Sequence, residues 1–494
     1  MASMNTKVCI VGAGVAGLKT AHTLLNDPKS KFKAEDVLIL EAQDRIGGRV
    51  LTDKTSSKLG YSYDIGGAWF HDCLSNTVLQ ESIDSGLFVV QKDGYFDDKD
   101  ITVYDKDFNN QPVPVTDLKL NRVKEELEKF IEVYYHEDLS RKDMSLLEIT
   151  DVYIKRYGDR LTSEQKKYLK KMIRYFELWD GFSADKISAR YSLNDHEGRN
   201  LYNLKGYSFL LDELLRKIPA SQIRTNTKVN TIVRNNKHNE TKLRVETDKG
   251  IVYCDYLVVT VPLSILKLPS SHPYGISWEP SLPASITEAL DATCFAALGK
   301  VIFEFNDVWW DKDVEQILHL PEETGSVELS AVLNQPPQKL IYPYLLVNYE
   351  ALHKKDNKKT AQGGSFVLLT QAPLTQYLEE NPDKAWDYFK ASFKSFVQPG
   401  RTISEPINVI TTKWTTNPYI RGSYSGVEVN GSYEDMVAQL SGEIEGLGLG
   451  YSTVRFAGEH ATAVGSGCIH GAYTSGEREA AWILNHYNSL KWTL

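Results

Sequence analysis

Cysteine is scarce: Cys9, Cys73, Cys254, Cys294 and Cys468 are scattered over 494 positions with no Cys-x-x-Cys pair. An odd, dispersed set excludes a disulfide framework and a paired-cysteine zinc site, and it points to a reducing compartment. No metal is expected. No apolar run approaches the roughly 18 residues that cross a membrane. The first strand is expected from about Lys7, leaving no room for a secretory leader. The terminal Trp-Thr-Leu is not the Ser-Lys-Leu peroxisomal address. A cytoplasmic protein with no membrane partner is the expectation. Positive charge is not in excess either: 56 Lys and Arg against 65 Asp and Glu leave a net charge of −9. Nucleic acid needs a basic face, so it is excluded as a partner; a cationic small molecule suits this field better. Internal repeats and low-complexity tracts are also missing.

What the chain does have is glycine at telling places. Residues 12–17 read Gly-Ala-Gly-Val-Ala-Gly, between an apolar run at 7–11 and an apolar-periodic stretch at 15–25. A second apolar run, 37–40, ends at Glu41. Strand, glycine turn, helix, strand and acid together make a dinucleotide-binding unit, far more specific than the glycines alone. Gly12 permits the tight turn, Gly14 lets the backbone approach a pyrophosphate, and Gly17 lets the helix pack on the sheet. The helix N-terminus offers unpaired N–H groups to phosphate, and Glu41 can accept hydrogen bonds from ribose hydroxyls.

Nucleotide-binding signals recur near 225–264 and 453–484. Short strands are expected at 231–233, 243–246, 251–253, 256–261 and 454–457, followed by a final helix. Between these segments, 72–219 reads as largely helical. Its clearest helix opens at Thr162 with Gln165 as a capping box, carries Leu169, Met172, Ile173 and Phe176 at helical spacing, and stops at Gly181. Residues 291–411 read as strand-rich, with Val301, Phe303 and Phe305 alternating. The four lysines within 354–359 read as a solvated loop. The expected fold is α/β (α+β overall): a Rossmann-like domain assembled from residues 1–71, 220–290 and 412–494, and a substrate-binding domain with helices and a mixed sheet from 72–219 and 291–411.

Further motifs sharpen this. They are Gly47-Gly48-Arg49 after Glu41; Tyr63-Asp64-Ile65-Gly66-Gly67-Ala68-Trp69-Phe70-His71-Asp72; His196-Glu197-Gly198-Arg199-Asn200; Leu298-Gly299-Lys300; Trp414 with Pro418 to Tyr424; and Arg455-Phe456-Ala457-Gly458-Glu459-His460. With these, nearly the whole chain resembles the flavin-containing amine oxidases, most of all the fungal polyamine oxidase branch, which also holds a corticosteroid-binding protein. The resemblance implies FAD and oxidation of a C–N bond. A hydride leaves the carbon beside a neutral amine for flavin N5, water hydrolyses the imine, and O2 becomes hydrogen peroxide. It implies cofactor contacts from Gly12, Gly14, Ala16, Gly17, Glu41, Ala42, Gly48, Arg49, Gly67, Ala68, Trp69, Val229, Trp414, Tyr419, Gly458, Glu459, Cys468 and Ile469.

Lys300 stands on a strand of apolar residues, where burying it is costly without a task. The family's matching lysine holds a water near N5; the alternative here is an edge-strand lysine in solvent. His71 corresponds to a position over the substrate, where it can accept a hydrogen bond from the amine or help set its charge. His196 and Asn200 are spaced to share one helix face, and the matching asparagine contacts the amine in similar enzymes. Trp69, Trp179 and Tyr424 are candidate tunnel walls that attract ammonium groups, and Asp180 is a candidate partner for a distal ammonium. Ser423 stands where monoamine oxidases bond a cysteine to flavin, so FAD is expected to be non-covalent. Cys468 replaces one tyrosine of their aromatic cage, which favours polyamines such as spermine or N1-acetylspermine over aryl monoamines. A steroid-binding flavoprotein is the second reading. An amino-acid oxidase needs a carboxylate-binding Arg that has no counterpart here, and a histone demethylase needs a coiled-coil insertion that the sequence lacks.

Overall fold

The computed structural model describes residues 3–96, 99–192, 197–234, 243–325, 327–328, 330, 340–353, 363–441 and 453–489. Its central sheet is wholly parallel, in the order Ile223–Arg224, Val37–Leu40, Val8–Val11, Tyr256–Val259 and Val454–Phe456. Four of these strands read almost entirely Val, Ile, Leu, Tyr, Phe and Cys because both faces are covered. The expected strand-turn-helix unit is present. Val8–Val11 runs into the helix Val15–Asn26, and a Cβ on Gly17 would lie 2.0 Å from the Gly12 carbonyl oxygen and 3.2 Å from Ile10. The terminal helix Ile469–Ser489 packs beside Val15–Asn26. They meet at Gly476, where a Cβ would fall 2.3 Å from the Ala16 oxygen.

A second sheet contains Val229–Val233, Leu243–Thr247 and Ile251–Cys254 in antiparallel array. The strand Ser3–Asn5, ahead of the expected first strand, adds to it beside Ile251–Cys254. A third, six-stranded sheet sets Gly299–Phe305 between Asn408–Thr411 and Gly364–Thr370. This is an interior strand with every residue buried, so the edge-strand alternative for Lys300 is overturned. Val301, Phe303 and Phe305 enter one apolar cluster and Ile302 another, on opposite sides of the sheet.

Helices Leu120–Glu137, Leu146–Tyr157 and Ser163–Met172 fill the segment read as helical. The Thr162 hydroxyl accepts from the Gln165 amide at 3.1 Å, and Gln165 Oε1 accepts from the Thr162 amide at 3.0 Å. The helix does not run unbroken to Gly181: it tightens to a 3₁₀ turn at Ile173–Phe176 before Glu177–Asp180. Gly181, at φ 76°, ends it. No described helix is long and apolar enough to cross a membrane. The lysine-rich stretch 354–359 lies outside the described residues.

Candidate active site

One cavity of about 460 Å³ runs from the glycine turn to the six-stranded sheet. At one end Gly14 and Gly48 face each other; a Cβ on Gly48 would lie 3.2 Å from Gly14 Cα. The helix Val15–Asn26 carries no side-chain cap, leaving its first N–H groups for a ligand. Glu41 is held by two amides, Ala13 N to Oε2 and Gln43 N to Oε1, each 2.8 Å. Ala16, Ala42, Gly67, Ala68 and Val229 also line the cavity. This small-residue cradle with a fixed acid and an uncapped helix fits a dinucleotide.

Farther along, Arg49 Nη1 donates to Glu459 Oε1 at 2.9 Å and to the Ser423 carbonyl at 2.7 Å. Burial pushes the Glu459 carboxyl up, but Arg49, His460 and the Ser425 hydroxyl at 2.6 Å outweigh it, so it is held below the usual range. Trp414 donates to the Ile65 carbonyl at 3.1 Å, and Tyr419 packs edge-on against Tyr274. Gly458, Cys468 and Ile469 complete this wall.

At the sheet end Lys300 is buried. Its ammonium donates to the carbonyls of Asp64, at 2.7 Å, and Gly66, at 2.6 Å. An ammonium has three donors, so one remains for the cavity that Lys300 lines. Burial pushes it down to about 8, against the upward pull of Asp64. His71 lies between Trp69, ring centres 6.5 Å apart, and Trp179, at 6.4 Å. His71 Nδ1 pairs with Asn200 Oδ1 at 2.9 Å. Asn200 therefore meets the candidate site, but not on a helix face: it precedes the strand Leu201–Asn203 in irregular chain. His196 lies outside the described residues. The Tyr424 hydroxyl donates to the Trp179 carbonyl. Asp180 has no hydrogen-bond or ionic partner among the described residues, and burial alone pushes its carboxyl up to about 7. It is half-buried and lines the cavity.

Asp72, Cys468 and His470 bring ligand-type atoms within 4.8 Å of one another. The Asn76 amide is oriented by its other bonds: Oδ1 accepts from Leu79 N at 2.9 Å, and Nδ2 donates to the His71 carbonyl at 2.7 Å. Nδ2 also faces His470 Nδ1 at 3.2 Å, so Nδ1 is the acceptor. The proton then sits on Nε2, 3.2 Å from Asp72 Oδ2. That tautomer has no lone pair on Nε2 for a metal. Burial also pushes the Cys468 thiol up to about 12.

Ser425 was not singled out from the sequence, and Asp64 and Leu298 stood there only as members of motifs, with no role of their own. Their parts are a hydroxyl on a buried acid, a main-chain carbonyl and a main-chain amide, none of which leaves a residue-type signal. Gly17 is the one glycine of the turn that serves packing and does not line the cavity.

Residues 15–484 match the family model described as flavin containing amine oxidoreductase, and the chain belongs to that family. It is 46% identical over 484 residues to the corticosteroid-binding protein of Candida albicans, covering 98% of this chain and 96% of that protein. It is 27% identical to polyamine oxidase 4 of Oryza sativa subsp. japonica, over 95% of this chain and 86% of that one. A structure of wild-type putrescine oxidase bound to putrescine superposes with a TM-score of 0.67 at 17% identity, over 98% of this chain and all of the other, and so shares its fold. The family's cofactor is FAD. Here it is held non-covalently: position 423 offers a hydroxyl already engaged by the Leu298 amide at 2.9 Å.

Proposed function

We propose that the protein is an FAD-dependent polyamine oxidase acting on spermine, N1-acetylspermine or a close relative. The observation that carries this reading is Asp180: a carboxylate without a partner among the described residues, opening onto a cavity that Trp69, Trp179 and Tyr424 also line. An unpaired acid in such a place is costly, and a distal ammonium would neutralise it while the aromatic faces take the methylene run. Bound FAD supplies the acceptor for a hydride from the carbon beside the reacting nitrogen and returns its electrons to O2 as peroxide. Arg49, Glu41 and the uncapped helix hold the cofactor's polar parts. His71, fixed through Nδ1 by Asn200, orients the amine nitrogen and helps it lose its proton. Lys300 keeps one donor for a water at the reacting end.

A peroxide-coupled assay of the purified flavoprotein against spermine, spermidine, their N1-acetyl forms and benzylamine tests this. Polyamine kcat/KM is expected at least about a hundred-fold above benzylamine, roughly 2.7 kcal/mol of transition-state discrimination. Turnover should rise from acidic to mildly alkaline pH as the amine deprotonates. Parity with benzylamine would defeat the polyamine assignment. A steroid-binding flavoprotein is the second reading, favoured by the relative at 46% identity; it prevails if no amine bleaches the flavin while a corticosteroid perturbs the flavin spectrum.

A further inference from the structure

Ser423 does more than lack a thiol. Its amide donates to the Ala296 carbonyl at 2.7 Å, its carbonyl accepts from Arg49 at 2.7 Å, and its hydroxyl oxygen accepts from the Leu298 amide at 2.9 Å. The first two bonds use main-chain atoms and would survive many substitutions. The third belongs to the serine side chain. Leu298 is two residues before Lys300, at the point where the chain enters the strand Gly299–Phe305.

The approach to that strand is fixed from several sides. The Ala296 amide donates to the Tyr424 carbonyl at 2.8 Å, and the Ala297 amide to the Gly181 carbonyl at 3.1 Å. A Cβ on Gly181 would come within 2.9 Å of Ala296. The Lys300 amide donates to the Thr412 hydroxyl at 3.0 Å, and that hydroxyl donates to Glu379 at 2.6 Å. Among the described residues the Leu298 amide donates to Ser423 Oγ alone.

We infer that Ser423 is a positioning residue: its hydroxyl fixes the main chain at Leu298 and thereby sets the placement of the Lys300 ammonium against the cofactor wall built on Arg49. This inference rests on the proposed role of Lys300. It gives the serine a task that a thiol performs poorly, since sulfur is a weak acceptor. In this chain, a cysteine at 423 would therefore weaken the setting of Lys300.

The test needs no amine. Flavin in the intact holoenzyme is reduced with dithionite, and its reoxidation by O2 is followed in wild type, Ser423→Ala, Lys300→Met and the double variant. Amide exchange of the 296–300 segment is measured in parallel on the oxidised holoenzyme, with no substrate present. The expected result is faster exchange in Ser423→Ala and reoxidation slowed about three- to ten-fold, with Ser423→Thr restoring both. The double variant should be no slower than Lys300→Met alone. Unchanged exchange would overturn the positioning role. Multiplied losses in the double variant, or an unaltered rate in Lys300→Met, would overturn the route through Lys300. Because peroxide release from amines is absent from every arm, a failed polyamine assignment would leave these results readable.

Discussion

Lys300 and Asp64 are joined by a main-chain oxygen, and their side-chain charges attract across the same buried space. The ammonium donates to the Asp64 carbonyl at 2.7 Å, while the Asp64 carboxylate accepts from Thr52 at 2.5 Å and from the Tyr207 amide at 3.1 Å. Each group is buried, and burial raises the carboxyl and lowers the ammonium. Lys300 is thereby poised at about 8, protonated below that pH and neutral above it.

Replacing Lys300 by Met keeps roughly the volume and removes the donors. The variant should fold and bind FAD, with flavin reduction, reoxidation or both slowed about ten-fold or more, about 1.4 kcal/mol of barrier. A pH-dependent step near 8 in the wild-type rate should vanish with it. Stopped-flow traces of both half-reactions check this; unchanged rates in both would refute the role.

Asp180 has the opposite sign from a stabilising acid. Its folded carboxyl, at about 7, stays protonated while the unfolded one ionises near 3.8. Ligand-free stability should therefore fall as pH rises from about 4 to 7 and level off above. Asp180→Asn removes that loss, so the variant's Tm should pull ahead of wild type across this window. The gain should reach on the order of 1–2 kcal/mol at pH 8, moderated by water in the cavity. Polyamine KM should rise at least about ten-fold in the same variant, with benzylamine little changed. A Tm difference flat with pH would contradict the burial argument.

Arg49→Ala leaves the Glu459 carboxylate buried with Ser425 as its remaining side-chain hydrogen-bond donor among the described residues. Loss of one partner of a buried pair costs about 3–5 kcal/mol; the Arg49 side chain is 25% exposed, which favours the lower end. In wild type the depressed Glu459 carboxyl contributes stability that is present above its ordinary value near 4.5 and lost as pH falls. FAD content, read by absorbance after desalting, should drop in the variant. Acid precipitation of wild type should leave the flavin in the supernatant; yellow pellets would disprove non-covalent binding.

Gly17→Ala tests the packing of the turn. The added carbon would sit 2.0 Å from a backbone oxygen that cannot rotate away. Helix Val15–Asn26 must then lift from the sheet, at a cost above the usual 1–3 kcal/mol or so of overpacking. Soluble yield and Tm should both fall, and FAD occupancy with them. A variant that melts like wild type would mean the helix has slack absent from the structure.

The glycine turn was legible because each of its glycines answers a local steric demand, and the parallel strands because burial on both faces makes them uniformly apolar. The helix from Thr162 was legible from its cap, but its tightening at Ile173–Phe176 was not, since no residue type announces a 3₁₀ turn. Asn200 was misread as helical because a four-residue spacing carries no weight without the intervening turn; the strand that follows it decides the geometry. Lys300 was found from its apolar neighbours, whereas its holders are carbonyls of Asp64 and Gly66, which any sequence possesses. Ser423 was noticed for the atom it lacks, and its bond to Leu298 depends on an encounter of chain segments 125 residues apart.

The central sheet has a consequence in time. Arg49 and Glu459 are separated by 410 residues, and Val454–Phe456 docks on a strand already made near the middle of the chain. At about 5–20 residues per second of synthesis, Arg49 leaves the ribosome on the order of 20–80 seconds before its partner exists. Through that interval the nascent protein carries the glycine turn but lacks the wall at Gly458, Glu459, Cys468 and Ile469. Flavin supply therefore matters only once residue 469 has emerged, and a ribosome stalled before Gly458 yields a polypeptide with a nucleotide motif and nowhere to keep the nucleotide.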